Sequence, residues 1–251
     1  MEPLASPTYR IRKWVGLKGH GLEGQGLEGQ GPDSKTCTIV IGGRIRSGKS
    51  YAAASLYHKL CHIDLSSNFA YFHSEDKHDE YINYYPPGRS YTYEIDPKND
   101  DLENMDLIIA EPYWNLDYRL SIHPCFIEKF LMNRSAHTTY IQTCMFHDML
   151  PKNICEKFDY IILTRGSCWG PAMKRTYDNY NLHAIFGSME IFRAIYEGIT
   201  STQFCTLVIH LSCNSRNIED SVFWYIGSVE FNIGDGFHME AVECALPKLD
   251  I

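Results

Sequence analysis

The chain has 251 residues, 44% of them apolar, and carries 23 basic against 31 acidic side chains for a net charge of −8. That apolar share excludes a disordered chain, and the acidic balance excludes a uniformly basic coat for nucleic acid. Nine cysteines spread from Cys37 to Cys244 without a C-x-x-C pair argue for reduced core thiols rather than a disulfide or zinc framework.

Taken in chain order, residues 1–35 are expected to form a flexible N-terminal segment, with the folded domain over 36–251. The first stretch carries Arg10, Arg12, Lys13 and Trp14, and disorder is its expected state. It has no apolar stretch of the secretory kind, and no run approaches the ~18 apolar residues of a membrane span, so a soluble protein of intracellular type is expected. Residues 16–31 follow as the pentads GLKGH, GLEGQ, GLEGQ and then Gly31-Pro32. Glycine at every fifth position with few bulky side chains cannot bury a core and reads as a tether.

From Thr36 the pattern changes. Thr36–Ile41 is an apolar, β-branched run and predicts a buried strand; Ser50–His62, rich in Ala and Leu, predicts a helix. Strands are expected at Asn68–His73, Met105–Ala110, His137–Thr143 and Asp159–Thr164, with a helical stretch over Ile122–Met132. A helix over Leu182–Ile199 and two strands near Thr206–Leu211 and Ser221–Ile226 close the domain. Strands alternating with helices imply a mostly parallel sheet covered on both faces, with the last two strands as an antiparallel edge. Charge is uneven along this domain. Residues 75–111 hold 11 acidic against 3 basic side chains, and residues 119–175 hold 8 basic against 4 acidic. Solvated surface is the plain reading, and a face polarised for assembly or DNA is the sharper one.

The most informative stretch is Gly43-Arg44-Ile45-Arg46-Ser47-Gly48-Lys49-Ser50, which fits G-x-x-x-x-G-K-[ST] between an expected strand and an expected helix. Glycines let the backbone wrap a phosphate, and the N–H groups at the helix start then face the anion. Lys49 is expected to reach the β- and γ-phosphates of ATP, and the Ser50 hydroxyl to hold Mg²⁺. The competing reading is a glycine-rich strand–helix turn with an incidental lysine.

An ATPase with this loop needs a carboxylate for the metal and one to polarise the attacking water. Glu111, after the apolar run Leu107–Ala110, stands where the second acid of an hhhhDE strand belongs, and is the expected general base and a metal-side ligand. Ala110 occupies the first acid's place; Asp106 lies at the wrong end of the strand, while Glu75 and Asp76 are alternatives. As an ordinary residue, Glu111 would be a surface acid after a core strand. Gln142, on the fourth expected strand, is costly to bury unpaired, and could read the γ-phosphate or orient water; a strand-end hydrogen bond is the plain alternative. Arg134 precedes that strand and is a candidate finger for a neighbouring subunit's γ-phosphate, with Arg119 and Arg165 as rivals, or else a helix-end cation. The stretch 166–181 combines Gly and Pro with Trp169, Lys174, Arg175 and Tyr177. Read as a loop, it offers Lys174 and Arg175 to DNA phosphates and aromatics to bases, or is simply a surface loop.

These residues resemble a family. Gly43–Ser50 with Leu107–Glu111, then Asn133–His137, Tyr140–Thr143, Leu150–Ile154, Asp159–Leu163 and Ser215–Tyr225, look like the A32-like genome-packaging ATPases of large DNA viruses, in the FtsK–HerA group of P-loop motors. Order and spacing hold from about residue 36 to 226. The resemblance implies a three-layer αβα P-loop NTPase sandwich of RecA/FtsK type with a mostly parallel sheet. It further implies a homo-oligomeric ring, pentamer or hexamer, with ATP between neighbours and double-stranded DNA in the pore. A capsid vertex as partner, and a place at the virus assembly site of a host cell and in the virion, are implied as well. The sequence departs from the family at Ala110, where paired acids are usual, at Asn133, where glycine is usual, and in the pentad repeat. The leading expectation is an ATP-driven DNA translocase that packages a viral genome. The others are a nucleotide-binding assembly component with little turnover and a small-molecule kinase, for which Arg165, Lys174 and Arg175 make only a thin lid.

Overall fold

Short apolar runs that cannot be left in water dictate the order of elements. The computed structural model describes residues 9, 11–14, 37–44, 46–61, 69–73, 90–92, 105, 107–112, 139–202, 205–226, 228–231 and 239–242. The pentad repeat, the helix expected over Ile122–Met132, and Ile45, Glu75, Asp76, Asp106, Arg119, Asn133 and Arg134 lie outside the described residues. The chain runs β1 (Arg12–Lys13), β2 (Thr38–Gly42), α1 (Lys49–Cys61), β3 (Phe69–His73), β4 (Ser90–Thr92), β5 (Leu107–Ala110) and β6 (Thr139–Cys144). A single 3₁₀ turn over His147–Met149 follows. Then come α2 (Lys152–Cys155), β7 (Tyr160–Leu163), α3 (Pro171–Asn179), α4 (His183–Phe186), α5 (Met189–Thr200), β8 (Cys205–His210), α6 (Ile218–Ser221), β9 (Val222–Ile226), β10 (Ser228–Phe231) and β11 (Met239–Val242).

Among the described residues nine strands form one sheet in the order β1-β9-β8-β7-β2-β6-β5-β3-β4, and β10 pairs with β11 in a separate hairpin. Strands β7, β2, β6, β5, β3 and β4 are mutually parallel, and β8 runs antiparallel to both β7 and β9. Ile39 and Ile41 on β2 face one side of the sheet with Ile109, Ile141, Ile162 and the alanines and Leu56 of α1. Val40, Tyr140, Ile161 and Leu163 face the other side, under Met173 of α3 and Phe192, Ile195 and Ile199 of α5. Covering both faces explains why the central strands read as continuous apolar runs instead of alternating ones. The result is a three-layer αβα sandwich of the P-loop NTPase kind with a mostly parallel sheet. Among the described residues no helix is long and apolar enough to cross a membrane.

Three sequence expectations change. The helix expected over Leu182–Ile199 is two helices: Gly187 takes φ 71° at the end of α4, and Ser188 caps α5 by accepting the Ile191 N–H. The stretch 166–181 is not a loop throughout, because Pro171 sits at the first helical position and starts α3. The first basic stretch is not wholly disordered. Arg12 and Lys13 pair in parallel with Phe223 and Trp224, so β1 and not β9 forms that sheet edge. Trp14 is only 1% exposed, packed on Tyr160 and Tyr225.

Candidate nucleotide site

The site lies where the parallel strands end, the place α/β sheets present ligands. The loop from Gly43 joins β2 to α1. Arg46 and Gly48 take φ of 62° and 87°, which turns the loop back on itself. Ser47 N–H donates to the Arg44 carbonyl at 3.2 Å, and Ala52 N–H donates to Gly48 O at 2.9 Å as α1 begins. Lys49 is buried, and its ammonium donates to the same Arg44 carbonyl at 2.7 Å. A Cβ on Gly43 would lie 2.0 Å from Thr164 Oγ1 and 2.2 Å from Ser47 Oγ, whereas one on Gly48 would meet nothing within 4 Å. The first glycine is therefore required by packing and the second leaves the mouth of the loop open. The loop is braced from β7: the Thr164 hydroxyl bonds Gly42 O at 3.0 Å and Ser47 Oγ at 2.7 Å, and the Ser167 hydroxyl donates to Gly42 O at 2.6 Å.

Register brings the acid to this loop. Ile41 stands opposite Thr143 on β6, and Ala110 on β5 stands opposite Gln142, so Glu111 falls beside Thr143. Glu111 is buried, and Thr143 Oγ1 donates to its Oε2 at 2.6 Å. Glu111 N–H donates to Phe72 O at 2.9 Å, which holds the end of β5 to β3. Ala110 is fully buried in the core on the opposite face. Gln142 is 0% exposed. Its amide donates to the carbonyls of Ala110, Glu111 and Thr143 at 3.2, 3.4 and 2.8 Å, and its Oε1 accepts from Tyr140 Oη. The expected strand-end glutamine thus clamps β5 to β6, and the side chain the structure sets on the carboxylate is Thr143. Sequence reasoning missed Thr143; alternation along β6 from the apolar Ile141 was the available signal.

Gly42 is the last residue of β2, and a Cβ there would lie 2.5 Å from His147 Nδ1. His147 is buried, and burial pushes its pKa down to about 4, against the nearby Asp148 carboxylate and aided by the Lys49 ammonium. No sequence signal pointed to it. The loop after β7 carries Trp169, 55% exposed, with the Arg44 guanidinium 4.3 Å from its ring centroid. Lys174 and Arg175 sit on α3 and both have carboxylate partners. Lys174 pairs with Asp178 at 2.9 Å on the surface. Arg175 places Nε and Nη2 at 2.9 and 2.7 Å from Oδ2 of the buried Asp148. Arg165 is exposed beyond β7.

The cradle fits a polyphosphate: an open glycine, amide donors at a helix start and a lysine aimed inward. Among the described residues no group of three or more His, Cys, Asp or Glu could hold a metal ion by itself. Ser50 stands in the first turn of α1 and Glu111 follows β5, so a Mg²⁺ ion at this site would have to take most of its ligands from phosphate and water.

The backbone has solved counterparts. The fold is similar to that of a viral genome-packaging NTPase. The genome packaging NTPase B204 from Sulfolobus turreted icosahedral virus 2, solved with AMPPCP, aligns at TM-score 0.52 and 15% identity over 75% of this chain and 96% of its own. The same protein solved with ATP-gammaS aligns at TM-score 0.50 and 15% identity, over 76% of this chain and 96% of its own. No family model and no curated protein matches the sequence.

Proposed function

We propose that the chain is an ATP-driven double-stranded DNA translocase that packages a viral genome, close to the A32-like ATPases in the FtsK–HerA group. The observation that carries the reading is a phosphate loop with Lys49 inside it, set across two strand ends from a buried Glu111 held by Thr143. Likeness to a packaging NTPase fold supports it.

In this reading ATP enters the loop Gly43–Ser50, and Lys49 leaves the Arg44 carbonyl for the β- and γ-phosphates. The Ser50 hydroxyl and Glu111 are the groups that would hold a Mg²⁺ ion, which would supply neutralisation of the phosphate charge. Glu111 accepts a proton from the attacking water, and ADP and inorganic phosphate are the products. Thr143 fixes the carboxylate, and Gln142 fixes the strand ends that carry it. In a ring of five or six subunits, Arg134 of each subunit acts on the γ-phosphate bound by its neighbour. Lys174 and Trp169 face the DNA, each subunit adding one small contact that the ring multiplies. A capsid vertex protein anchors the ring at the assembly site in the host cell.

Ala110 favours a second reading, a nucleotide-binding assembly component with little turnover, since β5 ends without the usual metal-side acid. Displacement of a third strand from a DNA triplex separates the two. Wild-type protein with ATP is expected to strip the strand, and Lys49→Ala to leave it. Nucleotide binding without stripping by the wild-type ring would contradict translocation and support the assembly role.

A further inference from the structure

We propose that the turn His147–Met149 couples the phosphate loop to helix α3, with His147 and Asp148 as positioning residues, so that α3 shifts when a nucleotide enters. The inference rests on the nucleotide-binding reading above and adds the element that senses it.

The turn follows β6 and lies three residues beyond Cys144, whose carbonyl accepts the Gly43 N–H at 3.2 Å. On one side it meets β2, because the His147 ring fills the space a Gly42 side chain would need. On the other side it meets α3. The Thr176 hydroxyl donates to Ala172 O at 2.9 Å, so His147 Nε2, at 3.2 Å, carries the proton and donates to Thr176. Nδ1 is then a bare acceptor, buried without a hydrogen bond. Three more groups of α3 and the residue after it close on the same turn. Arg175 grips Asp148 with two N–H groups. Asn179 Nδ2 donates to the carbonyls of Asp148 and Leu150 at 3.0 and 3.3 Å, and Tyr180 Oη donates to His147 O at 3.2 Å. Ahead of α3, Trp169 is stacked on Arg44 of the phosphate loop itself.

Helix α3 is thus fastened to the nucleotide end of the sheet from below and from its start. A close-packed imidazole cannot absorb a backbone shift at Gly42 without moving, and its motion reaches α3 through hydrogen-bonded side chains rather than through solvent. A carboxylate buried as deeply as Asp148, 7% exposed, is costly without its partner, so Arg175 is committed to the fold and not to an outside phosphate. What α3 carries outward is Lys174 and, ahead of it, the exposed Trp169.

Hydrogen exchange of the α3 amides with and without ATPγS tests this, beside nucleotide affinity measured in parallel. Wild type is expected to slow exchange over 171–179 by about tenfold on binding. Asp148→Asn and Arg175→Lys are expected to bring that ratio within about twofold while ATPγS affinity stays within about twofold. Binding by wild type with no change in α3 would overturn the inference alone, as would an undiminished change in both variants. Failure of wild type to bind ATPγS would overturn the nucleotide reading and the inference with it.

Discussion

Thr143 donates to Glu111 at 2.6 Å from a fully buried position, so its hydroxyl fixes the carboxylate at the end of β5. Thr143→Val, which keeps the shape and deletes the donor, is expected to lower kcat for ATP about tenfold with nucleotide affinity nearly unchanged, and Thr143→Ser to restore most of it. Equal kcat for the Val variant and wild type would show that Glu111 needs no such support. His147 gives a second prediction at this scale. Its pKa in the fold is about 4, below the ordinary 6.5, so the unfolded chain takes up the proton first as pH falls. The stability this group gives is complete above pH 6.5 and is lost as pH falls towards 4, about 2 kcal/mol of it by pH 5. Urea midpoints at pH 7.5 and 5 check it: His147→Gln is expected to show a smaller acid loss by that amount. His210, also pushed down by burial, is common to both proteins and cancels. The placing of the loop from Gly43 between a strand and a helix, and of Glu111 at the end of an apolar strand, was legible from residue type and order alone, because a glycine-rich turn and a β-branched run each carry a local signal. Thr143 and His147 were not, since their roles come from strand register and from space next to a glycine.

Helices show where local signals were read well and where they were not. α1 was legible because an Ala-rich run follows a glycine loop. The split between α4 and α5 was missed: an apolar periodicity continues across Gly187-Ser188, although Gly followed by Ser is a stop and a start in succession. Ser188 Oγ accepts the Ile191 N–H at 3.3 Å. Ser188→Ala is expected to cost about 1 kcal/mol, as is Gly187→Ala at its positive φ, each read as a shift in urea midpoint. Unchanged midpoints would mean that core packing by Phe192, Ile195 and Ile199, and not the caps, fixes this break. α3 was missed because its buried stripe, Ala172, Met173, Thr176 and Tyr177, is short and set among Lys, Arg, Asp and Asn after a Gly-Pro pair that reads as a turn; tertiary bonds from the His147 turn add what so short a helix lacks on its own.

The whole molecule follows from six parallel strands that must be covered twice. That much was readable as strand–helix alternation, and the antiparallel β8 was foreseen as part of the closing pair. The N-terminal edge strand was not, because two ladder residues and one tryptophan carry no periodicity; only the burial of Trp14 between Tyr160 and Tyr225 reveals its place. For the whole molecule the proposed function means that the parallel strand ends form an ATPase whose base is Glu111, working without an acid at position 110 and answering to DNA. Steady-state ATP hydrolysis with and without linear double-stranded DNA, for wild type beside Glu111→Gln, tests it most directly. Hydrolysis is expected to be stimulated severalfold by DNA, and the Gln variant to bind ATP but turn over at least about 100-fold more slowly. Equal turnover by wild type and the Gln variant, or wild-type binding with no hydrolysis in the presence of DNA, would contradict it.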